Sequence, residues 1–405
     1  MAKKVVAVLG TLDSKGAEFA FLKARLQAAG VDTLVVDAGV LGPSAFPPDI
    51  AAAELAEAGG VSLGTLVAER DRGRAMSVMS AGAARVLKRL YAEGRFDGII
   101  AMGGGGGTAI GTAAMRALPV GVPKLMLSTI GGGDVRAYVD VSDLIMMPSV
   151  VDIAGINRLS AKILTNAAGA IAGMVKAEPP GSAADRPLIA ATMFGVTTPC
   201  VTKAQTVLEA AGYEVLVFHA VGSGGRTMEG LIRDGFFSGV LDITTTELAD
   251  ELAGGVLSAG PHRLEAAGEA GIPQVVSVGA LDMVNFGPPE TVPEKYRGRQ
   301  FYRHNPQVTL MRTTREQNAA LGKTIADKLN RARGPTTLMI PTRGVSLIDM
   351  EGKPFHDPEA DAALFSALRG NIAGNVAVIE LDVDINDEAF AVRAAEVLIE
   401  SLLNR

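Results

Sequence analysis

Gly98-Ile99-Ile100-Ala101-Met102-Gly103-Gly104-Gly105-Gly106-Gly107-Thr108 sets an apolar run of strand length directly before five glycines and a threonine. The residues that follow, as far as Ala117, are Ala-rich, so the stretch reads as strand, tight turn and helix. Strand-to-helix turns of this kind build α/β sheets and bring the backbone close to a ligand. Five glycines leave several N–H groups unshielded at a helix N-terminus, where the dipole and the aimed donors together hold an anion. Thr108 is expected as the N-cap or as a hydroxyl donor to that anion. The competing reading is a turn that only lets the helix pack on the sheet. Two glycines suffice for that, so Gly103, Gly104, Gly105, Gly106, Gly107 and Thr108 are read as a phosphate or carboxylate site.

The same alternation runs outward in both directions. Val5–Gly10, Asp32–Asp37, Lys124–Ser128 and Leu144–Met147 read as strands, with helices at 14–29, 51–58, 74–92 and 158–176. The Pro/Gly/Ser-rich segment 179–187 reads as a linker, after which the pattern restarts with strands at 188–194, 214–219, 239–243, 274–278, 337–340 and 376–380. The expectation is an α/β protein of two Rossmann-like lobes, residues 1–178 and 188–405. Each has a mostly parallel sheet flanked by helices, and a cleft lies between them. Gly222-Ser223-Gly224-Gly225-Arg226-Thr227 again opens a helix and ends in threonine, which casts the halves as diverged copies.

Composition limits the function classes. The 405 residues exceed one ordinary core, and 48% apolar with 20% charged residues is globular. Glycine, at 48 residues, is about 12% of the chain against a usual ~7%. A net charge of −6 argues against nucleic acid, and no apolar run has membrane-spanning length. A short apolar strand after Lys4, without a cleavage pattern, leads to a cytoplasmic expectation. The single cysteine, Cys200, excludes an intrachain disulfide and makes a thiolate metal site unexpected.

Two further loops fall at the carboxyl ends of strands, the usual ligand side of an open α/β sheet. Gly10-Thr11-Leu12-Asp13-Ser14-Lys15-Gly16 offers hydroxyls and a lysine to a ribose or phosphate, although Asp13 or Ser14 can equally cap the next helix. Ser128-Thr129-Ile130-Gly131-Gly132-Gly133-Asp134 repeats the logic, with Asp134 as a candidate ligand to a nucleotide-bound Mg2+. Formal matches elsewhere fail on context: Gly60-x-Ser62-x-Gly64 follows a helix instead of a strand, and Gly322-Lys323-Thr324 sits within one.

These runs, with Tyr138-Val139-Asp140, Thr244-Thr245-Thr246-Glu247-Leu248-Ala249-Asp250-Glu251, Gly279-Ala280-Leu281-Asp282-Met283-Val284-Asn285-Phe286 and Tyr302-Arg303-His304-Asn305-Pro306, resemble the ATP-binding domain family typified by the tomato mosaic virus resistance protein. The resemblance covers essentially the whole chain and implies Rossmann-like subdomains, ATP and frequent homodimers. Carried onto this sequence, it makes Gly10, Thr11, Asp13, Ser14, Lys15, the glycine run, Ser128, Thr129 and Gly131 nucleotide-binding residues.

The polar stretch 282–312, rich in Pro, Gly and Arg, reads as a long functional loop. One account makes it a salt-bridged interface arm. The other makes it a site for an anionic substrate, with His304 as general acid or base beside Asp282 and Arg312 among the arginines that hold the anion. The overall expectation is an ATP-dependent enzyme of small-molecule metabolism, or else a nucleotide-regulated binding module without turnover.

Overall fold

The structure, a computed structural model, describes residues 3–178 and 186–404. Of the expected linker, only Arg186 and Pro187 fall among the described residues. The chain divides into two compact units, Met1–Gly181 and Ser182–Arg405.

The first unit is built on β1 (Val5–Gly10), β2 (Asp32–Asp37), β3 (Gly98–Gly103), β4 (Lys124–Ser128) and β5 (Ile145–Pro148). They form one parallel sheet in the order β2-β1-β3-β4-β5. Successive side chains point to opposite faces, so the apolar runs of β1 and β3 feed two cores at once. Ala7, Leu9, Ile99 and Ala101 join one core with Leu55, Met79 and Ile110. Val6, Val8, Ile100 and Met102 join the other with Phe19, Leu22 and Leu164. Helices Ala52–Ala58, Arg72–Ala92 and Gly105–Arg116 therefore cover one face, and Leu12–Ala28 and Arg158–Met174 the other.

The second unit holds β6 (Leu188–Met193), β7 (Glu214–His219), β8 (Gly239–Thr244), β9 (Gln274–Gly279), β10 (Met283–Phe286), β11 (Phe301–Asn305), β12 (Val308–Arg312), β13 (Thr336–Pro341) and β14 (Ala377–Leu381). Six of them make a parallel sheet in the order β14-β13-β9-β8-β6-β7. The other three make an antiparallel sheet, β10-β12-β11, which replaces the long loop expected at 282–312. Met283, Val284 and Phe286 in β10 and Leu310 and Met311 in β12 are buried, and apart from Pro306 the prolines and glycines of that stretch lie in the connection between β10 and β11.

The order β7-β6-β8-β9 repeats β2-β1-β3-β4, so the units share the wiring of their first four strands. That register corrects the pairing of the two glycine clusters. Gly222–Gly225 follows β7, the counterpart of β2, whereas the counterpart of the five-glycine run is Thr244-Thr245-Thr246 after β8. The rejected motifs also find plain uses. Ser62 caps helix Leu63–Glu69 by accepting from Thr65 N–H, and Gly322 lies inside helix Arg315–Leu329, where a Cβ would stand 2.7 Å from the Leu364 carbonyl of helix Pro358–Asn371.

Helix Arg72–Ala92 lies so close to Ala52–Ala58 that a Cβ at Gly82 would come within 1.8 Å of the Leu55 carbonyl oxygen. Gly82→Ala is expected to lower stability by about 1–3 kcal/mol in urea unfolding. Gly169→Ala, on an exposed helical position with nothing within 4 Å, is expected to raise it by about 0.5–1 kcal/mol. Equal effects would contradict the close helix contact.

Candidate functional site

β1 and β3 are neighbours, but the chain leaves them in opposite directions, toward β2 and toward β4. Loops that diverge beyond the carboxyl ends of adjacent parallel strands leave a crevice there. Here it is a cavity of about 730 Å³. Its lining combines polar groups, from Thr11, Asp13, Ser14, Lys15 and Gly104–Gly107, with the aliphatic side chains of Val40, Leu66, Met76, Met79 and Ile110.

Helix Gly105–Arg116 starts bare. Its N-cap is Gly104, which has no side chain to accept from the first turn, and the first helical hydrogen bond runs from Thr108 N–H to Gly104 O at 2.8 Å. The N–H groups of Gly105, Gly106 and Gly107 have no acceptor among the described residues. Several other helices in the chain are served: Asn157, Thr314, Asp357 and Asp387 cap theirs with side chains, and Asp37 accepts from Leu12 N–H at 3.0 Å. The glycines divide by role. A Cβ at Gly103 would lie 2.8 Å from Gly107 Cα, so that glycine lets strand and helix close up, whereas a Cβ at Gly105 would meet open space.

Thr108 is not the N-cap. It lies one turn inside the helix, fully buried, and its hydroxyl pairs with Ser128 Oγ at 2.7 Å. Ser128, Thr129 and Gly131 stand behind the cavity, outside its lining, as do Gly10 and Gly103. Lys15 lines the cavity at a break in helix Leu12–Ala28 (φ −132°, ψ 31°), and its ammonium donates to the Ile153 carbonyl. Asp13 Oδ2 accepts from Leu41 N–H at 2.7 Å, and its Oδ1 is buried without a partner. Asp134, the expected magnesium ligand, is also outside the lining. Arg136 holds both its oxygens at 2.9 and 2.6 Å, and those hydrogen bonds bring its carboxyl down to about 2.

Sequence reasoning passed over Arg70 and Arg72, which line the cavity from the connection between two helices. Both are exposed, and Arg72 Nη2 stands 3.9 Å from where a Gly106 Cβ would be. The available signal was Arg70-Asp71-Arg72-Gly73-Arg74, an arginine-rich turn where Asp71 caps the second helix.

In the second unit the glycine cluster after β7, at a different place in the wiring, meets an acceptor from within the chain. Glu247 Oε1 accepts from Gly222 N–H at 2.7 Å and from Gly225 N–H at 3.0 Å, so the glycine cluster there holds the protein's own carboxylate. Arg263, wholly buried, holds Glu247 Oε2 at 2.6 Å and grips Asp242 with two bonds of 2.5 and 2.7 Å.

The expected catalytic trio does not assemble. Asp282 and Arg312 are both buried in one network: Arg312 donates to Asp349 at 3.1 Å, to Asp361 at 2.7 Å and to the Phe355 carbonyl at 2.7 Å, while Ser346 Oγ donates to Asp282 at 2.8 Å. His304 is exposed on edge strand β11, with β12 between it and β10. Register pairs Met283 with Arg312 and Arg303 with Thr309. Asp282, opposite Thr313, and His304, between Thr309 and Val308, thus sit toward opposite ends of β12, separated along it by roughly 15 Å at ~3.3 Å per residue. A polar strand facing solvent was misread as a reactive loop.

Burial raises all three carboxyls around Arg312, Asp282 to about 6 and Asp349 to about 9, because desolvation penalises charge and the acids repel one another. One guanidinium does not neutralise three carboxylates, so the network holds a proton at neutral pH.

Two parallel sheets flanked by helices, with a bare glycine helix start over a cavity at the β1/β3 crossover, define an α/β chain of Rossmann-like wiring. The family is shown by sequence: residues 4–180 and 186–402 match the N-terminal and C-terminal domains of the uncharacterised protein family UPF0261, to which the chain belongs. A UPF0261 protein of Clostridium tetani is 54% identical over 403 residues, 99% of this chain and 100% of that one. The ToMV resistance protein Tm-1(GCR237) of Solanum lycopersicum is 45% identical over 339 residues, covering 82% of this chain and 44% of that protein. Among solved structures, the UDP-N-acetylglucosamine 2-epimerase of Rickettsia bellii covers 100% of this chain and 96% of its own at 8% identity, but a TM-score of 0.23 carries no argument. No helix among the described residues is long and apolar enough to cross a membrane.

The raised Asp349 carboxyl has a definite sign. Between its ordinary 3.8 and about 9 the folded protein keeps a proton that the unfolded chain has lost. Its stabilising share is therefore full below the ordinary value and erodes as pH rises toward the folded one. The wild-type urea midpoint is expected to fall between about pH 6 and about pH 9, and Asp349→Asn to flatten that fall. A wild-type midpoint that climbs with pH in this window would contradict the assignment.

Proposed function

We propose that the first unit binds ATP, with its phosphates on the N–H groups of Gly105–Gly107 and its base against the aliphatic side chains of the cavity. The observation that supports this most is the juxtaposition within one cavity of a bare glycine helix start and the Leu66–Met76–Met79–Ile110 surface. Helix N-termini favour anions through both dipole and donors, and small-molecule sites are mostly apolar with a few converging polar groups. Asp37, at the end of β2 where many dinucleotide sites carry a ribose-binding acid, is engaged by Leu12 and Gly39 N–H groups and the Ser44 hydroxyl. That favours a mononucleotide over NAD. An ATP ligand also fits the expected cytoplasmic location.

For the chain as a whole, binding without turnover is the reading we favour over an ATP-dependent enzyme acting on an anionic substrate. The observation behind it is the separation of His304 from Asp282 and the burial of Arg312 among three carboxyls. Release of ADP or phosphate during incubation with ATP, magnesium and a panel of organic acids would reverse that preference.

Gly105→Val tests the site, because the new side chain enters open space and leaves packing intact. Calorimetry with ATP is expected to show at least a tenfold loss of affinity, equivalent to about 1.4 kcal/mol or more, with an unchanged melting temperature. Unchanged affinity in the folded variant moves the ligand elsewhere. A symmetric homodimer is the partner we propose, with the exposed edge strand β11 and its Phe301 as a surface that a second copy can cover. Light scattering at micromolar concentration is expected to give twice the monomer mass; the monomer mass alone would remove the proposal.

A further inference from the structure

We infer that the cavity of the first unit neutralises its ligand's polyphosphate with the side-chain cations Lys15, Arg70 and Arg72, and takes that ligand without a divalent metal ion. The inference rests on the nucleotide reading of the same cavity and goes beyond it by naming the ionic form of the ligand.

The carboxylates do not fit a metal-bound nucleotide. Magnesium at such sites is held by the phosphates together with one or two protein carboxylates, in near-octahedral geometry. Two carboxylates line the cavity, and each gives one oxygen to a backbone donor, which leaves Asp71 Oδ2 as the one exposed carboxylate oxygen of the lining. Asp71 Oδ1 caps its helix at 3.0 Å from Arg74 N–H. Asp13 gives Oδ2 to Leu41 N–H at 2.7 Å, and its remaining oxygen is closed off from solvent. Asp134 is clamped by Arg136 outside the lining.

The cations tell the opposite story. Neither Arg70 nor Arg72 has an ion-pair or hydrogen-bond partner for its guanidinium among the described residues, whereas the nearby Arg74 is paired with Glu69 at 2.8 Å. Arg72 reaches over the first turn of the glycine helix, where three N–H groups lack acceptors. Guanidinium groups bind phosphate oxygens through two parallel charge-assisted bonds, and a metal ion would compete for those same oxygens. Lys15 also lines the cavity and is held only by the neutral Ile153 carbonyl, a partner that an anion can displace. Arg70 holds a left-handed conformation, φ 52°, at the end of its helix. That turns the chain so that both arginines face the cavity. Because phosphoryl transfer from nucleotides works through bound magnesium, a metal-free site is one that holds or senses a nucleotide, in keeping with binding without turnover.

The test is calorimetry on the full chain with two probes, ATP and inorganic tripolyphosphate, each in EDTA and in excess magnesium, repeated with Arg72→Gln. Both probes are expected to bind in EDTA at least as tightly as in magnesium, and Arg72→Gln to weaken tripolyphosphate by about tenfold in EDTA. The variant changes an exposed side chain, so its melting temperature should match the wild type. ATP that binds only with magnesium would overturn the inference and leave the nucleotide reading standing. Tripolyphosphate binding in EDTA without ATP binding would keep the inference and remove the nucleotide. Binding of neither probe in either condition, or full affinity in Arg72→Gln, would overturn the inference outright.

Discussion

Three backbone N–H groups at the start of helix Gly105–Arg116 need an acceptor that the fold does not supply. A donor left unanswered costs free energy unless water or a ligand meets it. Much of the first unit can be understood from that constraint. β3 delivers the chain into the turn, and Gly103 and Gly107 let helix and strand approach closely. Buried Thr108 and Ser128 tie that helix to the end of β4. The crossover between β1 and β3 keeps the space above the donors open, and Arg70 and Arg72 bring positive charge to it.

The second unit shows the same chemistry closed on itself. Its glycine cluster points N–H groups at Glu247, and Arg263 fixes that glutamate while gripping Asp242. A buried ion pair is weak evidence for stability, because desolvation offsets most of the attraction, yet breaking one leaves an uncompensated charge worth about 3–5 kcal/mol. Arg263 and Arg312, each ringed by acids, are therefore constraints on which packing the second unit adopts. In the first unit the N–H groups of Gly105, Gly106 and Gly107 meet no such carboxylate among the described residues.

The parallel sheets were legible because their strands are apolar runs ended by glycine turns, a signal that survives without any tertiary information. The antiparallel sheet was not. β11, Phe-Tyr-Arg-His-Asn, is solvent-facing, so neither its periodicity nor its composition separates it from a loop. Helix Pro358–Asn371 also went unread, though Asp357 and Pro358 mark its start. At the site, the bare helix start could be read from the glycines alone. The cation-bearing turn could not, because Arg70 and Arg72 come to the cavity through the packing of helix Arg72–Ala92 on the sheet face. Thr108 was misplaced for a related reason: five glycines leave the helix start ambiguous by several residues, and only the fold fixes it at Gly104.

Hydrogen–deuterium exchange of the free and ATP-saturated protein tests the central claim most directly, since it reads the orphaned amides themselves. The account predicts that a peptide spanning Gly104–Thr108 exchanges rapidly in the free protein and becomes protected with ATP. The segment 11–15 and the arginine turn should gain protection too, while the second unit's Gly222 and Gly225 amides are protected from the outset by Glu247. Rapid exchange at Gly104–Thr108 in the ATP-saturated protein, or ligand protection confined to the second unit, would contradict it.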